Sequence, residues 1–303
     1  MSIYFSANNK LKELQEKAFK LERDIQNVFE ENLNTIMGLT LVKSEFTIKN
    51  KRIDTLAFDS QSNAFIIIEY KRDKNLSVVD QGFTYLSLML ENKADFIVEY
   101  NESLKQNLKR DDVDWTQTRV VFVSTAFTEN QVLATNFKDI AIELWEVKQF
   151  ENNIISVTPI KKTNSATSIK PVMQQNVNLK KVSEEIKVYT EEDHTTLASD
   201  EIAELYSKFR DSIINLVDGI EIKPQKFYVA FKKDTNIADI EVLKKSLKIF
   251  LNIKFGDLDD PKNLARNVSD IGHRGNGDYQ IQVDSDNDLE YIMSLIKQVA
   301  QKS

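Results

Sequence analysis

Apolar positions recur along the chain in two rhythms, and the rhythm changes several times. Between residues 10 and 37, Leu11, Leu14, Ala18, Leu21, Ile25, Val28, Phe29 and Leu33 follow the i, i+3, i+4 spacing of an amphipathic helix. Short runs rich in branched and aromatic residues come next, over 39–46, 52–58 and 65–71, and these predict strands. The polar stretch Asp59-Ser60-Gln61-Ser62-Asn63 separates the last two as a turn. A helix is predicted over 77–90, with Val78, Phe83, Leu86 and Leu90 on its buried side, then a strand over 96–100. Residues 119–124 read as an apolar strand of the kind buried on both faces. A short helix over 128–136 and a strand over 140–147 complete the series. This order predicts an α/β domain with a mixed central sheet flanked by helices.

The pattern breaks at 161–183. That stretch is polar, contains Pro171, and holds five lysines and no acid. It reads as a solvated tether, or as a tether that also tracks a phosphate backbone. Beyond it, Ser199-Asp200-Glu201 starts a helix with capping chemistry and acids in its first turn. Ile202, Leu205, Tyr206, Phe209, Ile213, Ile214 and Val217 supply the apolar stripe. Strands are predicted over 226–231 and 279–283, residues 243–251 fit either a helix or a strand, and a terminal helix starts at Asp286. The expected organisation is a first domain over 1–160, a linker over 161–183, and a smaller α+β domain over 184–303.

Composition narrows the chemistry. The 303 residues are enough for two domains, and 41% apolar content is enough for two cores. There is no cysteine, which excludes disulfides, thiol nucleophiles and thiolate-held zinc. The two histidines, His194 and His273, are far apart in sequence, which leaves histidine-based catalysis poorly supported. Hydrolytic chemistry would therefore rest on carboxylates, lysine and an oxygen-bound cation such as Mg2+ or Mn2+. The net charge of −7 argues against a broadly basic nucleic-acid coat and leaves room for a local basic groove. The N-terminal residues lack the apolar core of a signal peptide, and no apolar run reaches membrane-spanning length. The expectation is a soluble cytoplasmic protein with no membrane partner.

Asp54, Glu69 and Lys71 stand out against this background, because charges inside apolar strands are costly unless something pairs them. Glu69 and Lys71 share one strand face, about 7 Å apart, and a hairpin through 59–63 can bring Asp54 across from them. Two acids and a lysine on one sheet face suit a hard divalent cation with an ammonium beside it. Each residue also has a structural alternative. Asp54 could cap the turn or pair with Arg52, and Glu69 and Lys71 could form an ion pair on an edge strand.

Over residues 20–150 the chain resembles the PD-(D/E)xK nuclease superfamily, closest to its NucS-like and RecB-like branch. The resemblance is carried by Leu21-Glu22-Arg23-Asp24-Ile25-Gln26, Arg52-Ile53-Asp54, Ile68-Glu69-Tyr70-Lys71 and Gln81-Gly82-Phe83-Thr84-Tyr85, in that order. It implies a restriction-endonuclease-like fold and metal-dependent hydrolysis of DNA, by endonuclease or exonuclease action, in defence or repair. It further implies that Asp54, Glu69 and the Tyr70 carbonyl hold Mg2+ (or Mn2+), and that Lys71 orients the attacking water or offsets phosphate charge. Glu22 matches the family's accessory acid, with Glu30 as the replacement if the helix is registered differently. Gln81 and Tyr85, four residues apart on one helix face, would reach into the site. A protein that keeps this fold but only binds DNA or protein is the alternative. Lys49, Lys51, Arg52, Arg72 and Lys74 flank the two strands and could contact phosphates, or serve as solubilising loop charges.

Residues 184–303 resemble an uncharacterised domain family that has carried the label "predicted transport protein". The resemblance rests on 188–194, Asp259-Asp260-Pro261, 265–268 and Gly272-His273-Arg274-Gly275-Asn276-Gly277-Asp278. The glycine-rich stretch reads as a hairpin turn needing positive φ, or as a ligand loop with exposed backbone N–H groups. His273 and Arg274 could project from it toward a phosphate or a partner. Expected partners are DNA, a second protomer in a homodimer, and nucleic acid or protein at the C-terminal domain.

Overall fold

A computed structural model describes residues 2–72, 78–163, 165–169, 180, 182, 184–233 and 235–302. The chain divides into two units, Met1–Val188 and Tyr189–Ser303.

The first unit opens with β1 (Tyr4–Ala7), β2 (Lys10–Glu13) and β3 (Glu16–Lys17), followed by α1 (Glu22–Glu31) and α2 (Leu33–Met37). Then come β4 (Thr40–Ile48), β5 (Lys51–Asp59), β6 (Ala64–Lys71), α3 (Val78–Glu91) and α4 (Lys93–Leu104). The unit continues through β7 (Arg119–Ser124), α5 (Glu129–Thr135), β8 (Ile142–Phe150) and β9 (Ile155–Ile160). Seven strands form one sheet in the order β3-β8-β7-β6-β5-β4, with β9 paired to β8. The β6–β7 and β7–β8 pairs are parallel and the others antiparallel, so the predicted mixed central sheet is present.

Helices cover both faces, which is why β6 and β7 are almost wholly buried. On one face Ile25 and Phe29 of α1 meet Ile66, Ile68, Tyr70, Val121 and Val123. On the other, Phe83, Leu86, Met89 and Phe96 of α3 and α4 meet Leu56, Phe58, Phe65, Ile67 and Phe122. Each such side chain contributes about 1.5–3 kcal/mol by leaving water. Gly82 of α3 lets that helix approach β8: a Cβ there would lie 2.5 Å from Ile142 Cδ1.

Two elements differ from expectation. Residues 10–20 are not helical. Asn8 and Asn9 adopt positive φ (50° and 59°) and fold β1 onto β2 as a hairpin, a conformation asparagine tolerates. Helical periodicity is realised only from Glu22 onward. Residues 96–100 are helical, not a strand. Phe96 and Tyr100 lie one turn apart and both pack on Phe65, whereas Val98 is exposed. A short apolar run carries both readings, and the packing decides between them.

Part of the stretch 161–183 packs on the first unit, so it is not a solvated tether throughout. Ile169 and Val182 are buried in the core of the first unit. Asp139 accepts from Ile169 N–H at 2.8 Å, and Lys162 Nζ donates to the Ile140 carbonyl at 2.6 Å.

The second unit contains α6 (Glu191–Thr195), α7 (Asp200–Leu216), β10 (Glu221–Pro224), β11 (Val229–Lys232) and β12 (Asn236–Val242). It ends with β13 (Leu247–Leu251), β14 (Arg266–Asn267), β15 (Tyr279–Val283) and α8 (Leu289–Lys302). Its sheet is antiparallel, in the order β10-β11-β12-β13-β15-β14. The ambiguous stretch 243–251 resolves as a turn and a strand. Phe209 and Ile213 of α7, with Ile292, Leu295 and Ile296 of α8, pack on Ile237, Ile240, Ile249 and Ile281. This is the smaller α+β unit that the sequence predicts.

Candidate active site

β5 and β6 form a hairpin that is closed at one end and forked at the other. At the closed end, Asp59 accepts from the N–H groups of Gln61 and Ser62 and pairs with Arg119 at 3.1 Å. This is the predicted turn, and the ion pair ties it to β7. At the other end the register stops at Thr55 and Ile68, although β5 begins at Lys51 and β6 runs to Lys71. Beyond that point side chains take over from the ladder. Asp54 N–H donates to Glu69 Oε1 at 3.2 Å, and Tyr70 N–H donates to Asp54 Oδ2 at 3.0 Å. The fork thus draws the two carboxylates together where the strands part.

Three more predicted residues converge here. Lys71 Nζ lies 3.3 Å from Glu69 Oε2. Gln81 of α3 donates to the same oxygen at 3.0 Å and to the Tyr85 hydroxyl at 3.2 Å. The Tyr85 hydroxyl in turn donates to the Arg52 carbonyl at 3.2 Å. Gln81 and Tyr85, four residues apart on α3, both lie on the side of the helix that faces the fork. Gly82, beside Gln81, permits the close approach that brings α3 to the fork.

The site is dry, with the Glu69 side chain 2% exposed and that of Lys71 14%. Burial pushes the Glu69 carboxyl up to about 7. The neighbouring Asp54 charge adds to the rise, and Lys71 and the hydrogen bonds oppose it. Asp54 is also raised, first by burial, against the pull of the Tyr70 N–H and Lys71. Burial likewise raises Tyr70 and Tyr85, so both phenols stay protonated. Two desolvated carboxylates cannot both ionise cheaply with one lysine between them. A divalent cation would relieve that cost, and Mg2+ is commonly held by one or two carboxylates with water completing its shell. The donor set fits such a cation. Among the described residues, no group of three or more histidines, cysteines or acids converges on a metal position.

Glu22 and Glu30 separate in space. Glu22 accepts from Arg72 N–H at 3.0 Å, which fixes β6 one residue past Lys71. Glu30 accepts from Thr55 Oγ1, and Thr55 lies 3.3 Å from the Tyr70 hydroxyl, so Glu30 serves the α1 face. Gln26 donates to Glu30 and to the Asp54 carbonyl, both at 3.0 Å, and so holds the backbone at Asp54. Gln26 and Thr55 escape the sequence reading. Their signal is a polar residue on a buried stripe: Gln26 follows Ile25 on α1 and is 5% exposed.

Four of the five flanking cations are described. Lys49 and Lys51 are exposed, and Arg52 pairs with Glu45 at 2.9 Å. Arg72 donates to the Lys20 carbonyl at 2.8 Å. Lys74 lies outside the described residues.

The first unit is therefore an α/β unit whose central sheet forks around a buried acid, a half-buried one, a lysine and a glutamine. Comparison with known proteins adds the following. An uncharacterized protein from Haemophilus influenzae is 57% identical over 298 residues, covering 98% of this chain and 99% of the relative, and the chain belongs to the family of that protein. Residues 191–299 match the family model of a domain of unknown function (DUF5655). A repair endonuclease from Pyrococcus abyssi is similar to 44% of the chain at 19% identity and a TM-score of 0.25, and the match spans 49% of that structure. Among the described residues, no helix is long and apolar enough to cross a membrane.

Proposed function

We propose that the first unit is a metal-dependent nuclease of the PD-(D/E)xK type that hydrolyses DNA phosphodiester bonds. The observation that carries this reading is the fork of β5 and β6. There Asp54, Glu69, Lys71 and Gln81 share one partly buried hydrogen-bonded cluster. Asp54 and Glu69 would hold Mg2+ or Mn2+, with the Tyr70 carbonyl as a third ligand. When bound, the cation supplies Lewis-acid stabilisation of charge at the phosphate. Lys71 is held by Glu69 where its ammonium can donate to the attacking water or to a phosphate oxygen. Gln81 fixes the Glu69 carboxylate, and Tyr85 fixes Gln81. Glu22 keeps the end of β6, and with it Lys71, in place.

A cleavage assay on plasmid, linear, branched and single-stranded DNA with Mg2+ or Mn2+ tests this. Wild type should cut at least one substrate, and Asp54→Ala and Lys71→Ala should each lose at least about a hundredfold in rate. Equal activity in wild type and both variants would refute the assignment. The second reading is a protein that keeps this fold and binds DNA without cutting it. Binding by wild type with no cleavage under any metal would select that reading.

A further inference from the structure

The sheet of the second unit has an apolar face against α7 and α8 and a polar face on the other side. Cross-strand register places Glu241 opposite Lys248, Phe250 opposite Gln280, and Gln280 opposite Arg266, all on that polar face. The connection 268–278, between β14 and β15, folds back over it. Two glycines make this possible for different reasons. Gly277 has a φ of +85°, and a Cβ there would lie 1.9 Å from the Leu251 carbonyl oxygen. At Gly275 a Cβ would lie 2.3 Å from Phe250 Cδ2, so close approach is the constraint there. Asn276, between them, is locked down. Its backbone N–H and side-chain amide donate to buried Asp239 at 2.6 and 2.7 Å. The stretch is thus a long hairpin connection anchored onto the sheet, not a tight turn.

Loop and sheet together enclose a pocket of about 410 Å³ lined by Glu241, Lys248, Phe250, Arg266, His273, Arg274 and Gln280. This volume falls within the usual range for small-ligand sites. Lys248, Arg266 and Arg274 face a single acid, so three positive charges less one negative leave the lining at +2 in a protein whose net charge is −7. Glu241 is buried and engaged on both oxygens, with Lys248 at 3.1 Å and Arg274 at 3.1 Å, and it positions both cations. Arg266 is exposed and donates to the buried Gln280 amide oxygen at 2.8 Å. The lining therefore selects an anion.

The aromatic component narrows the class. The His273 ring lies over the buried Phe250 ring, with centroids 5.6 Å apart and planes within 15°, and its outer face is exposed. Its Nδ1 lies 2.7 Å from the Ile271 carbonyl, which can only accept, so Nδ1 carries a proton and the ring orientation is fixed. A fixed planar ring beside a cluster of cations matches a ligand with a flat heterocycle and a phosphate. The anchor of the loop is Asn276 on Asp239. Arg274 adds an ion pair to buried Glu241, and the loop presents the exposed His273.

We infer that this pocket binds a nucleotide, with the phosphate against Lys248, Arg266 and Arg274 and the base stacked on His273. The same chemistry is offered by a free nucleotide and by one unit of a single-stranded nucleic acid. Calorimetry on the full chain with EDTA present, which keeps any metal-dependent cleavage silent, separates the cases. The probes are the four deoxynucleoside 5′-monophosphates, their nucleosides, inorganic phosphate and a single-stranded oligodeoxynucleotide. At least one monophosphate should bind about tenfold more tightly than both phosphate and its own nucleoside. Arg266→Ala and His273→Ala should each weaken that binding about tenfold while leaving the far-UV circular dichroism of the folded chain unchanged. An oligonucleotide that binds more tightly than every monophosphate, and loses that advantage in both variants, identifies nucleic acid as the source. The reverse order identifies free nucleotide. Phosphate binding as tightly as the nucleotides, no binding by any probe, or unchanged affinity in the variants would overturn the inference.

Discussion

Each unit buries an acid whose carboxyl is pushed up to about 7, and the two acids are held in opposite ways. Asp239 is 1% exposed and receives only neutral donors: the Asn276 N–H, the Asn276 amide and the Asn236 amide. Its rise comes from burial, and every neighbour works against it. Glu69 is 2% exposed and sits beside a second carboxylate, Asp54, whose charge adds to the rise. Burial alone thus does not mark a chemical site. Asp239 is satisfied by amides and anchors a loop. Glu69 and Asp54 together carry more negative charge than Lys71 offsets, which a proton or a further cation can balance.

The contrast breaks most sharply on substitution of the anchor. Asp239→Ala removes the acceptor of three hydrogen bonds and should cost the second unit about 3 kcal/mol or more. Both tryptophans, Trp115 and Trp145, lie in the first unit, so their fluorescence reports that unit alone. Denaturant unfolding followed by far-UV circular dichroism should reveal the loss, while the tryptophan transition and any DNA cleavage hold steady.

A smaller effect, on the order of 1–3 kcal/mol, should come from pH. The folded Glu69 carboxyl titrates near 7 and the unfolded one near 4.5. The folded state therefore binds more protons between those values, and stability of the metal-free first unit falls as pH rises through that window. Saturating Mn2+ should flatten the tryptophan-detected dependence, because a cation held by Glu69 and Asp54 replaces the proton. Asp239 should impose a similar decline on the second unit between about 3.8 and about 7, and Mn2+ should leave that decline intact. A metal that flattened both, or neither, would erase the distinction drawn between the two acids.

The smallest effect belongs to a positioning residue. Gln81→Leu removes one donor from Glu69 and should slow cleavage about tenfold, with little change in stability. It should also move the acid limb of the pH–rate profile upward, because an ionised Glu69 loses a partner. Unchanged kinetics would make Gln81 a packing residue.

The sequence already shows why the fork has its acids. Asp54 and Glu69 are charges in strands that read as apolar, and the turn at 59–63 sets them across from each other. The Gln81 and Tyr85 pairing also follows from helical spacing. What sequence cannot show is where the ladder ends. That depends on Gln26 gripping the Asp54 carbonyl from α1, a contact 28 residues away along the chain. The helix misread over 10–20 has a local cause, since two asparagines at positive φ override an apolar spacing that extends into β2 only by coincidence. The Gly275 constraint is equally invisible, because it reflects a distance to Phe250 across the sheet.

The β5–β6 hairpin has a consequence for how the site assembles. Asp54 and Glu69 meet through a short local turn, whereas β7 reaches β6 as a parallel partner only after α3 and α4 have been threaded between them. Local pairing forms early and non-local parallel pairing late. The two acids should therefore come together while still hydrated, and be driven toward a shared proton only when the distant strand and helix seal them in. If so, raising the pH from about 5 to about 7.5 should leave the refolding rate of the metal-free protein nearly constant and speed its unfolding. Stopped-flow tryptophan fluorescence at the two pH values reads both rates.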